Sequence, residues 1–166
     1  DTNGRRSTVT ALETFARQIG LRARRALIGF PSETEQEIAF LYDPDRLAPV
    51  HDPKGEPTGK KGSEFAPRFD SSFRYDLDQD GTFETIRFSK PPLELAVTAA
   101  DGHSFRLIGV HAKSKNPYGF SGREEFLRIS IENRRKQLAQ CLWLRQRIEA
   151  HLEAGDSLIV MGDFND

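Results

Sequence analysis

Residues 124–154 read as one long helix that stops at Gly155, and the apolar run Ser157-Leu158-Ile159-Val160-Met161 follows at once. A helix that leads straight into an apolar strand must pack back against a sheet, which constrains the chain to layers of helix on sheet, an α/β architecture. The spacing predicts a helical stripe of Leu138, Cys141, Leu142, Ile148 and Leu152, followed by a buried strand. At 166 residues the chain has the length of one domain, and 12 Phe give it bulky core anchors. With 24 Lys and Arg against 25 Asp and Glu, it is neither a strongly basic nucleic-acid coat nor an acidic tail.

The other elements fit such a core. Residues 8–19 repeat apolar side chains at helical spacing before Gly20, and the following run of Arg22, Arg24 and Arg25 reads as a solvated segment. Residues 37–42 predict a buried strand ended by Asp43-Pro44-Asp45, and residues 47–67 predict a long surface loop. Residues 73–88 predict a hairpin turning at Asp80-Gly81. Asp76, Asp78, Asp80 and Gly81 also match the first half of a calcium loop, although Arg87 stands at the twelfth position, where a bidentate Glu is needed. Leu93, Leu95 and Val97 alternate in a strand, and Asp101-Gly102 turns it into a second strand over residues 104–112 with both faces covered.

The single cysteine, Cys141, excludes an internal disulfide and a cysteine-based zinc site. No stretch is apolar for long enough to form a membrane-spanning helix, and residues 1–6 do not open a signal peptide; the compartment stays open.

Chemistry concentrates at two strand ends. In His111-Ala112-Lys113-Ser114-Lys115, a continued strand would project His111, Lys113 and Lys115 together, an imidazole with two cations suited to phosphate. In Gly162-Asp163-Phe164-Asn165-Asp166, alternation would set Asp163 and Asn165 on one side and send Phe164 into the core, while Gly162 permits close backbone approach.

Together these motifs resemble the endonuclease/exonuclease/phosphatase superfamily, the deoxyribonuclease-I-like fold. Arg134-x-x-Gln137 on the intervening helix is similar to a pattern of that family. So is the strand Ile38-Ala39-Phe40-Leu41-Tyr42-Asp43-Pro44, and so is Phe88-Ser89-Lys90-Pro91-Pro92, where Lys90 replaces the family's Arg. The resemblance covers residues 34–166. It implies part of a four-layered α-β-β-α sandwich and a hydrolase dependent on Mg2+ or Mn2+. In that scheme Asp163 orients or deprotonates the attacking water, Asn165 bonds water or phosphate, and His111 stabilises the phosphate's developing charge. Lys90, Lys113 and Lys115 are the expected phosphate contacts. The family's metal-site Asn and Glu and its Ser-Asp-His motif have no counterpart, so the ligands of a metal cannot be assigned. Residues 1–166 are accordingly expected to form one incomplete central domain, inactive or nearly so alone.

Three functions follow as expectations. A nuclease is favoured, because residues 113–136 carry seven cations against three carboxylates. A phosphatase of inositol phosphates, phospholipid head groups or small phosphate esters keeps the same site. A non-catalytic Ca2+-binding or scaffold module would rest on the loop from Asp76 to Gly81.

Overall fold

The computed structural model describes residues 7–32, 36–77 and 79–165. Helix α1 spans Thr8–Gln18; the Ser7 hydroxyl caps it by accepting the Thr10 N–H, and Gly20, at φ +71°, turns the chain out. Ala16 is fully buried, but Phe15 and Ile19 are about half exposed. The helix packs on an antiparallel hairpin of β1 (Arg25–Ile28) and β2 (Ala39–Tyr42). Strand β1 is an addition to the sequence reading. Strand β2 is half-buried where a buried strand was expected: Phe40 packs toward the central sheet, while Ala39 is exposed. The arginine run lies on the surface, with Arg22 and Arg24 paired to Asp43 and Asp45 across the turn.

The central sheet has the order β3 (Leu47–His51), β6 (Leu93–Ala99), β7 (Ser104–His111) and β8 (Leu158–Asp163). Strand β3 (Leu47–His51) corrects the reading of residues 47–67 as loop throughout: it pairs antiparallel with β6 at the sheet's edge, where Pro49 is tolerated. The rest of that loop is stitched down. Lys54 N–H donates to Glu94, Ala66 N–H donates to Gln146, and the Pro67 carbonyl accepts from the Trp143 indole. The connection between β4 (Phe73–Tyr75) and β5 (Glu84–Ile86) is a hairpin, as expected, but its strands are short and residues 76–83 form the loop. Asp76 and Asp80 hold that loop by accepting the Gly81 and Thr82 N–H groups; Asp78 lies outside the described residues.

Strands β6 (Leu93–Ala99) and β7 (Ser104–His111) form the expected hairpin, and β8 (Leu158–Asp163) runs parallel to β7. Both faces of the sheet are covered. Leu93, Leu95, Val97 and Leu107 meet Leu27, Ile38 and Phe40 of the β1–β2 hairpin on one face. On the other, Ile108, Val110 and Ala112 meet Phe69, Phe73, Phe88 and Trp143. Strand β8 is the exception to the expected burial. Val160 packs inward, whereas Ile159 and Met161 are 47% and 54% exposed on the opposite face of this edge strand.

Helix α2 spans Arg123–Glu153, close to the expected bounds, but it presents a different face to the core. Leu138, Leu142 and Leu152 are exposed, while Asn133, Ala139, Gln140, Trp143, Leu144, Arg147 and His151 are buried. An apolar stripe alone could not reveal this, because the buried polar groups each find a specific partner in a loop or strand beneath the helix. The fold is mixed α/β, with three sheets and two helices among the described residues.

Candidate functional site

Parallel pairing of β7 and β8 sets His111 opposite Asp163, with Val110 opposite Gly162. Any side chain at residue 162 would overlap the Val110 carbonyl, and the backbone there is at φ +143°, so only glycine permits this approach. His111 Nε2 is thereby 4.0 Å from Asp163 Oδ2, with side chains 38% and 62% exposed.

The strand stops at Asp163, so strand alternation does not place Asn165. A tight turn does. The Asn165 N–H donates to Asp163 Oδ1 at 2.9 Å, and its side-chain amide donates to the Ala112 carbonyl at 2.9 Å. This fixes Asn165 at φ +56°, a left-handed conformation that Asn tolerates. Phe164 packs against the core, as expected. Asp166 lies outside the described residues.

The cation on His111 is Lys90. Its ammonium is 3.2 Å from His111 Nδ1 and 3.5 Å from Nε2, so it can donate to either ring nitrogen, while Nε2 faces Asp163. Strand β7 ends at His111, so strand alternation does not carry on to Lys113 and Lys115. Beyond it the Lys113 N–H is held by Gln140 Oε1 at 2.7 Å, which bends the chain into the loop before α2.

Sequence reasoning named Gln137, in the Arg134-x-x-Gln137 pattern, but missed Asn133 and Gln140 on the same face of α2. Gln137 donates to the carbonyls of Phe164 and Asn165 at 2.7 and 2.9 Å. Gln140 also donates to the Arg87 carbonyl, near Lys90, and Asn133 donates to the carbonyl of Asn116. Amides at positions 133, 137 and 140 follow helical spacing, and that period in polar residues was the available signal. Arg134, three residues before Gln137, is exposed.

Among the described residues no group of three or more His, Cys, Asp or Glu side chains is gathered to hold a metal. Mg2+ and Mn2+ sites in phosphate chemistry often use one or two carboxylates together with water and substrate, and Asp163 is exposed enough to serve as one such ligand.

The most perturbed carboxyl lies elsewhere. Glu94 points from β6 beneath α2, where Arg147 donates to it at 3.1 Å and the Lys54 N–H donates at 3.1 Å. Burial pushes it up to about 7, against the opposing pull of Arg147 and Lys54. Burial also lowers the Arg147 guanidinium, which is further held by the carbonyls of Ala66 and Pro67. For both partners the loss of water outweighs their mutual attraction.

No family model matches the chain, and no curated protein and no solved structure is detectably similar to it.

Proposed function

We propose that the chain carries a phosphodiester-hydrolysing site of the endonuclease/exonuclease/phosphatase type, with nucleic acid as substrate. The observation that carries this reading is the corner at the ends of β7 and β8, where Lys90, His111, Asp163 and the Asn165 turn meet. Further support comes from the order of packing, with α1 on the β1–β2 hairpin, that hairpin on one face of the central sheet, and α2 on the other. This succession agrees with an α-β-β-α sandwich.

In this reading the phosphate docks against Lys90 and His111. The Lys90 ammonium neutralises its oxygens, and an imidazole N–H of His111 donates to the oxygen on which charge grows. Asp163, exposed beside the imidazole, accepts the proton of the attacking water. Asn165 keeps the Asp163 carboxylate oriented through its backbone N–H. A Mg2+ or Mn2+ ion held at Asp163 would supply additional charge neutralisation. Gln137 and Gln140 act through the backbone, holding the two loops that present these groups.

The deciding measurement is binding of a short oligonucleotide as a function of salt. Expected is affinity that falls with ionic strength and weakens about tenfold or more in Lys90→Ala and His111→Ala. Nicking of supercoiled plasmid in Mg2+ or Mn2+, lost with EDTA and in Asp163→Asn, would extend the reading from binding to chemistry. Oligonucleotide binding that ignores both substitutions refutes it.

A further inference from the structure

The face of α2 turned away from the sheet is apolar, where water would favour polar side chains. Leu127, Ile131, Leu138, Leu142 and Leu152 are each 38–60% exposed, and their spacings of four, seven, four and ten residues align them along the helix. At 3.6 residues per turn the five fall within an arc of about 80°, on the side opposite the buried Asn133, Gln140 and Arg147. With a rise of 1.5 Å per residue, the stripe is about 38 Å long. Single exposed leucines are ordinary on a surface, but a continuous apolar line of this length marks a contact face.

We infer that α2 pairs through this stripe with α2 of a second copy of the chain, antiparallel, about a two-fold axis that passes between the levels of Cys141 and Leu142. The inference is independent of the phosphodiesterase reading.

Charge selects the occupant. Arg134, Arg145 and Glu149 interrupt the stripe, and all three are exposed. Parallel pairing would set each of them against its own like charge. Antiparallel pairing about that axis sets Arg134 against Glu149 of the second copy, and symmetry makes this contact twice. The same register lays Ile131 against Leu152 and brings the two Leu142 side chains together at the axis. Arg145 falls opposite Leu138, which its aliphatic stem can cover. Within the chain Arg145 already donates to Glu149 Oε1 at 2.8 Å, but a carboxylate accepts more than one donor, so Glu149 has room for Arg134 of the second copy as well. A stripe that complements itself when reversed is what an isologous contact requires.

A lipid surface fits this pattern less well. Anionic head groups would attract Arg134 and Arg145, yet Glu124 and Glu149 stand exposed on the same line and would be pressed against them. Pairing also needs no new backbone order, because each α2 is already formed on its own core, and that limits the cost of association.

Sedimentation velocity of the full chain between about 1 and about 100 µM tests this. Expected is a dimer that forms within that range. Leu142→Arg places two cations at the axis and should weaken dimerisation about tenfold or more, with the circular dichroism and the urea midpoint unchanged, because the position is exposed and Arg is as good a helix former as Leu. Arg134→Glu faces Glu149 with a like charge and should weaken it about threefold or more, and adding Glu149→Arg should restore it. A chain that stays monomeric at about 100 µM overturns the inference, and binding of that monomer to vesicles containing phosphatidylserine would assign the stripe to a lipid surface instead. A dimer indifferent to Leu142→Arg overturns it too, since the copies then meet elsewhere. A double variant that dimerises no better than Arg134→Glu overturns the antiparallel pairing.

Discussion

Glu94→Gln is expected to change how the stability of the fold depends on pH. Wild-type Glu94 is almost inaccessible, its side chain only 3% exposed, and burial raises it from an ordinary value of 4.5 to about 7. Between those values the folded chain holds a proton that the unfolded chain has released. The stabilisation is therefore fully present below about pH 4.5 and is lost progressively as pH rises through 7. At about 1.4 kcal/mol per pH unit, the loss amounts to about 3 kcal/mol. Lys54 N–H and Arg147 bond different Glu94 oxygens, so glutamine keeps an acceptor for one of them and sets its NH2 against the other, which lowers stability throughout; it has no proton to lose, so its stability should lack this slope. The assay is urea unfolding followed by the fluorescence of Trp143, the single tryptophan and fully buried, in steps from about pH 4.5 to about pH 7.5. His51, lowered by burial, contributes a slope of opposite sign, and it does so in both proteins, so the difference between the two curves isolates Glu94. Asp52 and Asp156 are lowered by hydrogen bonds to Lys54 and to His151 respectively, and they titrate below the window. Parallel curves for wild type and variant would refute the reasoning, because they would mean that Glu94 carries the same charge across the whole range.

Gly162→Ala should cost about 2 kcal/mol or more in the same unfolding assay, since the new methyl group meets the Val110 carbonyl and must part β7 from β8. Trp143→Ala should cost about 3–5 kcal/mol, because the indole packs among Phe69, Phe73 and Phe88 and satisfies the Pro67 carbonyl; a loss under about 1 kcal/mol would show that this cluster is not the centre of the core. Gln137→Ala removes two hydrogen bonds to the turn after β8 at a cost of about 1–3 kcal/mol. It should weaken oligonucleotide binding while Gln137→Glu, which cannot donate to those carbonyls, does the same with the side-chain volume retained; a Glu variant that binds as wild type would remove Gln137 from its positioning role.

The sequence made the β6–β7 hairpin legible because Leu93, Leu95 and Val97 alternate cleanly and Asp101-Gly102 supplies turn chemistry. Strand β3 was hidden by its own neighbours, as Pro49 and the Pro- and Gly-rich stretch after it carry the signals of a loop. The orientation of α2 was hidden for a different reason. Its buried face is built of Asn133, Gln140, Arg147 and His151, whose burial depends on partners distant in sequence, whereas Leu138 and Leu142 face outward. At the site, His111, Asp163 and Asn165 were legible as strand-end chemistry, and all three lie at one corner. Lys90, named from resemblance, reaches His111 through the fold, while Lys113 and Lys115 follow a strand that stops short of them. Period-two reasoning holds only while the backbone stays extended, and an Asx turn took over at Asn165.

The two rims of the central sheet are chemically unequal. Along β3, Pro49 has no N–H to offer, and a proline is accommodated in a ladder only when that missing donor points away from its partner strand. Along β8, Ile159 and Met161 stand exposed beside an edge with no proline. A strand recruited to this sheet finds donors, acceptors and an apolar seat on the β8 rim and a broken ladder on the other. A strand added to this sheet would accordingly meet an unbroken ladder only at β8, the strand that delivers Asp163.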